Sequence, residues 1–277
     1  HDSSLSPPTS KPNHHTQPPH PTNMAAIDMF QHLARVLAAE IALHKHNKVN
    51  RQGIVSPHAQ HFFVLNNILP EDVFCGLQDA ASHLQASSVR EDSHWRKGQA
   101  IGGHELGRSS AAPWLEHIRS PAFRQSTREA TGIETLELVP DVDTNRISLL
   151  FYDGPERKDT KTDLLGDGTD WHMDGNIYLG DRWAGILTLV EDTLDDVSKL
   201  ELQPNGQITQ IPKAQLENSL ILFQGDHVLH RVRAMAPGER RVVISLLFSD
   251  WPVRTRNPLL RRYQSKVNLA FYGNPGS

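Results

Sequence analysis

The chain has 277 residues, of which 38% are hydrophobic and 22% are charged, and its formal net charge is −4. This composition supports a sizeable core, and the slight acidity argues against a general nucleic-acid-binding protein, which usually has a strongly basic face. No apolar run reaches the roughly 18 residues that a membrane helix requires. We therefore expect neither a nucleic-acid partner nor a membrane.

The number of cysteines limits the disulfides and metal sites that the chain can form. Cys75 is the only cysteine, which excludes intrachain disulfides and cysteine-based zinc or iron–sulfur sites. A single cysteine mildly favours a reducing compartment, and we expect the protein to be cytoplasmic.

The N-terminal part divides into two segments by composition. Residues 1–23 are rich in proline, serine and histidine, which predicts a disordered tail because the segment has little apolar surface to bury. Residues 24–47 carry Ile27, Phe30, Leu33, Leu37 and Ile41 at helical spacing. This pattern predicts an amphipathic helix that packs against another part of the protein.

A folded domain is predicted over residues 61–252. It begins with a short strand at His61, followed by a helix that starts near Pro70 and continues through Leu84. The region around Trp95 has the composition of a loop, and residues 113–131 have a helical pattern. Residues 253–277 form a basic C-terminal extension, for which a solvated helix is the default interpretation.

The remainder of the domain has the pattern of short strands. Asn205-Gly206 is a strong hairpin signal between two of them, and Pro237-Gly238 marks another turn. Helices followed by about eight strands predict a mostly β, α+β fold, a double-stranded β-helix (jelly roll) with N-terminal helices on one flank. The predicted strands are 136–139, 146–152, 177–190, 199–203, 207–211, 219–223, 228–233 and 240–248.

A His-x-Asp pair at His172 and Asp174 is the first candidate for metal chemistry. Taken alone it is weak, because about one such pair is expected by chance at this composition. The pair follows a Gly/Asp-rich loop and is expected to begin a long strand, where residues i and i+2 point to the same face. One imidazole and one carboxylate can then converge on a single ion.

A third ligand is expected from a distant strand, and His230 is our choice. Two histidines and one carboxylate that leave coordination positions open form the facial triad of non-heme Fe(II) oxygenases. His227 competes with His230 for this role. We prefer His230 because Arg240 follows ten residues later, beyond the Pro237-Gly238 turn. A forked cation there suits the far end of a dicarboxylic co-substrate, although Arg240 or Arg241 alone is more often a solvated arginine.

With these features the sequence resembles the Fe(II)- and 2-oxoglutarate-dependent dioxygenases, in particular the prolyl 4-hydroxylase-like branch. The resemblance spans about residues 62–250. The stretches that carry it are Phe63-Val-Leu-Asn-Asn-Ile-Leu-Pro-Glu-Asp, Leu150-Phe-Tyr-Asp-Gly, His172-Met-Asp174, His230-Arg-Val and Gly238-Glu-Arg240.

The resemblance implies a role for each matching residue. His172, Asp174 and His230 would ligate iron, and Arg240 would bind the distal carboxylate of 2-oxoglutarate. Tyr152 and Thr188 fall where relatives have tyrosines that line the co-substrate pocket, although a threonine hydroxyl has a shorter reach. Four residues that flank the metal strand are candidates for a substrate pocket, and core packing explains them equally well: Trp171, Tyr178, Arg182 and Trp183.

The resemblance also implies the reaction. It predicts an oxidoreductase that uses Fe(II), 2-oxoglutarate and dioxygen, with ascorbate allowed as a further cofactor. The enzyme would hydroxylate a C–H bond of an unidentified substrate and release succinate and carbon dioxide. That substrate is a protein side chain such as proline, or a small metabolite. The alternatives are a cupin-like metal enzyme that does not use 2-oxoglutarate and a non-catalytic jelly-roll binding module.

Overall fold

A computed structural model describes residues 60–92, 96–155 and 166–272 of the chain. The predicted tail of residues 1–23 and the predicted helix of residues 24–47 lie outside these residues. The domain limits at residues 61 and 252 stay a prediction.

The described part of the chain is mostly β-structure. Its strands are β1 (Phe62–Leu65), β2 (Val89–Asp92), β3 (Arg96–Ile101), β4 (Glu137–Leu138), β5 (Ile147–Asp153), β6 (Gly168–Thr169), β7 (Arg182–Asp192), β8 (Val197–Gln203), β9 (Thr209–Pro212), β10 (Leu220–Gln224), β11 (Leu229–Val232) and β12 (Arg240–Ser249). Its α-helices are α1 (Glu71–Leu84), α2 (Gly103–Leu106), α3 (Ala112–Arg119), α4 (Pro121–Thr131) and α5 (Pro258–Tyr272).

These strands form two antiparallel sheets among the described residues. The larger sheet has the order β1-β10-β7-β12-β5-β3-β2, with β4 beside β12 and β6 beside β3. The smaller sheet has the order β11-β8-β9. Two facing antiparallel sheets with helices on one outer face are the jelly-roll architecture that the sequence predicts, so the fold-class prediction is confirmed.

Alternation along the strands sorts side chains between two cores. On β12, Val242 and Ile244 pack with Phe151 in a cluster that includes the helices. Val243 points the other way, into a second cluster with Leu150 and residues of the smaller sheet. We call the first side of the larger sheet the helix face and the second side the barrel interior. Because successive residues of a strand alternate between faces, this assignment fixes the direction of every neighbouring side chain on β5 and β12.

Two features differ from the sequence-based expectation. The single helical region 113–131 is two helices, because Pro121 starts a new helix and the Ser120 hydroxyl accepts a hydrogen bond from the Phe123 amide at its N-terminus. The region around Trp95 that was expected to be a loop contains β2 and β3. Their sequences are too rich in charged residues and glycine to give a clear alternating pattern.

The C-terminal helix α5 is anchored to the domain. Leu260 is fully buried, and Asp143 accepts hydrogen bonds from Gln264 and from the Tyr178 hydroxyl. The default interpretation of a solvated helix therefore holds only for its outer side. Among the described residues, no helix has the length and apolar character needed to cross a membrane.

Candidate metal centre

His172 and His230 lie directly opposite each other where the two sheets meet. Each backbone amide donates to the carbonyl of the other residue at 3.0 Å, which forms an isolated antiparallel bridge. The centroids of the two imidazole rings are 4.3 Å apart. His230 belongs to β11 of the smaller sheet, so the bridge brings residues 58 positions apart in the sequence to one point.

Backbone carbonyls orient both imidazoles. Nδ1 of His172 donates to the Asp170 carbonyl at 2.7 Å, and Nδ1 of His230 donates to the Val228 carbonyl at 2.9 Å. A carbonyl can only accept, so each proton resides on Nδ1 and each Nε2 keeps its lone pair. This is the usual arrangement of metal-binding histidines, whose second nitrogen is fixed by a hydrogen bond to the protein.

Asp174 completes the group. Its backbone amide donates to the Gly225 carbonyl at 2.8 Å, and one carboxylate oxygen lies 3.9 Å from Nε2 of His230. The other oxygen is 3.2 Å from Nε of Arg182, whose Nη1 also donates to the Gly175 carbonyl at 2.6 Å. Arg182 therefore holds one oxygen of Asp174 and leaves the other oxygen directed at the histidines.

The environment keeps Asp174 and His230 in the protonation states that a cation requires. Burial raises the pKa of Asp174, but Arg182 and the two histidines outweigh it and hold that pKa below the ordinary value. Burial lowers the pKa of His230 to about 4, so its imidazole is neutral at physiological pH. One anionic oxygen and neutral imidazoles suit a divalent metal.

The three potential ligand atoms of His172, Asp174 and His230 lie within 4.8 Å of one another. The backbone that brings them together differs from the prediction, because regular strand β7 begins at Arg182 and not near His172. Residues 173–181 instead bond to loops: the Leu179 amide donates to the Val253 carbonyl, and the Gly180 amide donates to the Trp251 carbonyl. Loop contacts, and not strand alternation, position Asp174.

Gly225 lies where the carboxylate of Asp174 comes closest to the backbone. A Cβ atom at residue 225 would lie 2.4 Å from a carboxylate oxygen of Asp174, well inside van der Waals contact. We expect Gly225→Ala to displace this carboxylate and to weaken Fe(II) binding about 10- to 100-fold, as displaced supporting groups at metal sites do. Titration with Fe(II) under anaerobic conditions measures the effect. Thermal unfolding without metal is the control, and unchanged iron affinity would contradict this placement.

His227, the competing ligand, belongs to a different group. Its ligand atom lies within 4.8 Å of those of Asp181 and Asp226, and its Nδ1 is 3.1 Å from an oxygen of Asp226. Asp226 in turn accepts a hydrogen bond from Asn176 at 2.8 Å. The structure thus brings His230, and not His227, to His172 and Asp174.

A polar group lines the barrel interior on the larger sheet. Tyr152 of β5 and Arg241 of β12 are cross-strand partners, and the Arg241 guanidinium lies 5.9 Å from the centre of the Tyr152 ring. Arg241 is 1% exposed and its Nε donates to Glu191 at 2.7 Å. Within the described part of the chain, Nη2 of Arg241 and Oγ1 of the buried Thr188 have no hydrogen-bond partner.

Arg240 does not point into the barrel, and this expectation is corrected. Its side chain is 40% exposed, lies on the helix face, and donates to Gln85 at 2.8 Å. The sequence correctly predicted that Arg240 and Arg241 point to opposite faces of the strand. It assigned the wrong one of the two to the barrel interior. Val243 faces the barrel interior, so Arg241, two residues earlier, faces the interior as well.

The four candidates for a substrate pocket lie in different environments in the structure. Trp183 is fully buried on the helix face, with its ring centre 5.9 Å from that of Phe63. Arg182 contacts the metal-ligand candidate Asp174. The Arg231 guanidinium lies over the Trp171 ring at 4.6 Å. Core packing therefore accounts for the position of Trp183.

Tyr178 is also a core residue, and a conservative substitution tests this. Its hydroxyl is buried and donates to the Asp143 carboxylate at 2.5 Å. Because hydrogen bonds to charged groups contribute about 1.5–3 kcal/mol, Tyr178→Phe is expected to lower the free energy of unfolding by about that amount. Chemical denaturation measures the change. A raised Michaelis constant for the substrate at unchanged stability would instead restore the substrate-pocket interpretation.

Arg96 is an interior residue that sequence reasoning missed. It is 9% exposed, lies on β3, and places its guanidinium 6.0 Å from the centre of the Tyr152 ring. The small residues Gly98 and Ala100 follow it at a spacing of two, which was the available signal for a strand face.

Solved structures share this architecture at low sequence identity. SnoN, a non-heme alpha-ketoglutarate-dependent epimerase from nogalamycin biosynthesis, is 15% identical, with a TM-score of 0.52 over 80% of this chain and 89% of that chain. A further structure of SnoN, in complex with Fe³⁺, alpha-ketoglutarate and nogalamycin RO, is 12% identical, with a TM-score of 0.51 over 76% of this chain and 84% of that chain. AviO1 from Streptomyces viridochromogenes Tue57 is 13% identical, with a TM-score of 0.50 over 72% and 93% of the two chains.

The chain shares the fold of these solved structures, which include an alpha-ketoglutarate-dependent epimerase. A prolyl hydroxylase from Trichoplax adhaerens, solved with a hypoxia inducible factor peptide fragment, is 19% identical, with a TM-score of 0.49 over 76% of this chain and 92% of that chain. No protein-family model and no curated protein matches the sequence. The grouping of two histidines and one aspartate in this fold fits iron binding.

Proposed function

We propose that the protein is an Fe(II)- and 2-oxoglutarate-dependent dioxygenase that hydroxylates a C–H bond of an organic substrate. The observation that carries this proposal is the convergence of His172, Asp174 and His230 within 4.8 Å, inside a fold shared with such enzymes. The proposed substrate is a protein side chain such as proline, or a small metabolite.

The donor set supports iron as the metal. Two imidazole nitrogens and one carboxylate oxygen are the ligands of the facial triad in non-heme Fe(II) oxygenases, which leave positions open for small molecules. When bound, iron supplies the activation of dioxygen that is coupled to oxidative decarboxylation of 2-oxoglutarate. The role of the protein in this chemistry is to hold the ligands in fixed orientations. The Asp170 and Val228 carbonyls and Arg182 provide this support.

The barrel interior supports 2-oxoglutarate as the co-substrate. Arg241 carries a permanent charge, and its buried Nη2 and the buried Thr188 hydroxyl are available to a carboxylate. We therefore assign the role proposed for Arg240 to Arg241, with Thr188 and Tyr152 beside it. Tyr152 packs next to the guanidinium and helps to keep water from this charge, which strengthens its attraction for an anion.

Glu191 balances Arg241 when the pocket holds no dicarboxylate. Both side chains are almost fully buried, and a buried arginine without a carboxylate partner would cost several kcal/mol. The pair uses Nε of Arg241, whereas Nη2 remains available. A second carboxylate can therefore bind without breaking the first pair.

The test is release of succinate from 2-oxoglutarate by Fe(II)-loaded protein, screened against proline-containing peptides and small metabolites. We expect slow release of succinate without substrate. Either the proline-containing peptides or one of the small metabolites should clearly stimulate this release. Mass spectrometry of that substrate should show a gain of one oxygen atom. Metal binding without any release of succinate would favour the cupin-like or the non-catalytic alternative.

A further inference from the structure

A small cleft lies on the helix face of the larger sheet, which is the face opposite to the candidate metal centre. It is formed where α3 ends and α4 begins, against Leu138 of β4 and Phe248 of β12. Its free volume is about 80 Å³, several times the roughly 10–15 Å³ that one water molecule needs. The cleft therefore has room for a small polyatomic ligand.

Three guanidinium groups line this cleft. Arg119, Arg124 and Arg146 surround the cleft from three different elements of the chain, and Glu137 is the one carboxylate in the lining. The carboxylate of Glu137 is shared, because it also pairs with Arg128 at 2.7 Å. The Arg124–Glu137 distance is 3.8 Å, longer than a hydrogen bond, so Glu137 compensates Arg124 only in part.

The acidic partners outside the cleft are exposed to solvent. Glu116 pairs with Arg119 at 2.8 Å, and its side chain is 70% exposed. Asp141 pairs with Arg146, and its side chain is 84% exposed. Ion pairs with carboxylates this exposed contribute little, because water screens them. These exposed carboxylates therefore compete only weakly with a ligand for the guanidinium groups.

Arg146 shows that the positive charges crowd one another. Burial, and then the charges of Arg119 and Arg124, lower the pKa of Arg146 below its ordinary value. Its Nε atom is buried and has no hydrogen-bond partner among the described residues. Like charges held together with an unused donor are stabilised when an anion binds between them.

The N-terminal end of α4 adds to the positive potential of the cleft. This 11-residue helix begins at Pro121, and Ser120 at its N-terminal end also lines the cleft. The N-terminal end of a helix carries partial positive charge and favours anions.

We propose that this cleft binds a single phosphate group, as inorganic phosphate or as a small phosphate monoester. Arginine forks match the oxygen geometry of phosphate, and three guanidinium groups around one cleft suit a phosphate dianion better than a monocarboxylate. The ligand is separate from the proposed 2-oxoglutarate, because the larger sheet lies between this cleft and the barrel interior.

The experiment is isothermal titration calorimetry of the full chain with inorganic phosphate, glycerol 3-phosphate and acetate at constant ionic strength. We expect saturable binding of at least one phosphate compound and none of acetate. Arg146→Gln and Arg124→Gln should each weaken this binding about tenfold or more, because each removes a charge-assisted hydrogen bond. Arg262→Gln, an exposed arginine of α5, is the matched control and should bind phosphate as the wild type does.

The use of two arginine variants distinguishes a loss of phosphate binding from a loss of folding. Arg124 is 40% exposed, so Arg124→Gln remains informative if Arg146→Gln fails to fold. The relative affinities of the two phosphate compounds show whether the cleft prefers inorganic phosphate or a phosphate monoester. Absence of saturable heat up to about 10 mM of either compound would overturn the proposal. Equal affinities of Arg124→Gln, Arg262→Gln and the wild type would overturn it too, as would binding of acetate in preference to phosphate.

Discussion

His172→Ala is expected to abolish both Fe(II) retention and succinate release, at every concentration of 2-oxoglutarate. The substitution removes one of three protein ligands, and the remaining pair, Asp174 and His230, lacks the third donor of a facial triad. Loss of a supporting group at a metal site already costs about 10- to 100-fold in affinity, and loss of a ligand should cost more. Iron content per chain and succinate release are the two measurements.

His227→Ala is the matched control for this substitution. It removes a histidine that is near the centre but grouped with Asp181 and Asp226, so iron content and turnover should stay close to those of the wild type. The reverse pattern, with His227→Ala inactive and His172→Ala active, would show that the ligand set is wrong. If the wild-type protein retains iron but releases no succinate under any condition, the non-catalytic binding module becomes the better interpretation.

The sequence predicted the architecture because its signals are local. Strand-length apolar runs, the Asn205-Gly206 hairpin and the helix after Pro70 are each set by neighbouring residues, and all three occur in the structure. His172, Asp174 and His230 were also identified in the sequence, although their convergence depends on a bridge between residues 58 positions apart. Ligand type and spacing, and not local structure, provided that signal.

The sequence-based predictions were wrong where tertiary contacts determine the direction of a side chain. Arg240 and Arg241 are adjacent, and a shift of one residue in strand phase exchanges which side chain is buried. Nothing local to these two residues reveals that Val243 faces the barrel interior. The contact of Arg182 with Asp174 likewise depends on the irregular path of residues 173–181, which is held by carbonyls of Gly225, Trp251 and Val253. Such loop contacts have no periodic signature in a sequence.

Arg241→Lys is expected to raise the apparent Michaelis constant for 2-oxoglutarate about tenfold or more without loss of iron. Lysine keeps the positive charge that balances buried Glu191, so the fold should survive, but it lacks the forked donors that a carboxylate needs. Hydrogen bonds between charged groups contribute about 1.5–3 kcal/mol, which corresponds to a loss of roughly 10- to 150-fold in affinity. Succinate release against 2-oxoglutarate concentration, and direct binding of 2-oxoglutarate to the metal-loaded protein, measure this loss.

Arg240→Lys is the matched control, because it makes the same chemical change at the adjacent residue on the opposite face of β12. Arg240 is 40% exposed and contacts Gln85, so its substitution should change the constant by no more than about twofold. A large effect of Arg240→Lys with a neutral Arg241→Lys would restore the expectation drawn from sequence and make the Arg241–Glu191 pair purely structural. If neither variant responds while both retain iron, the dicarboxylate does not bind at this end of the barrel. The cupin-like metal enzyme that works without 2-oxoglutarate would then be the better account of a centre built from His172, Asp174 and His230.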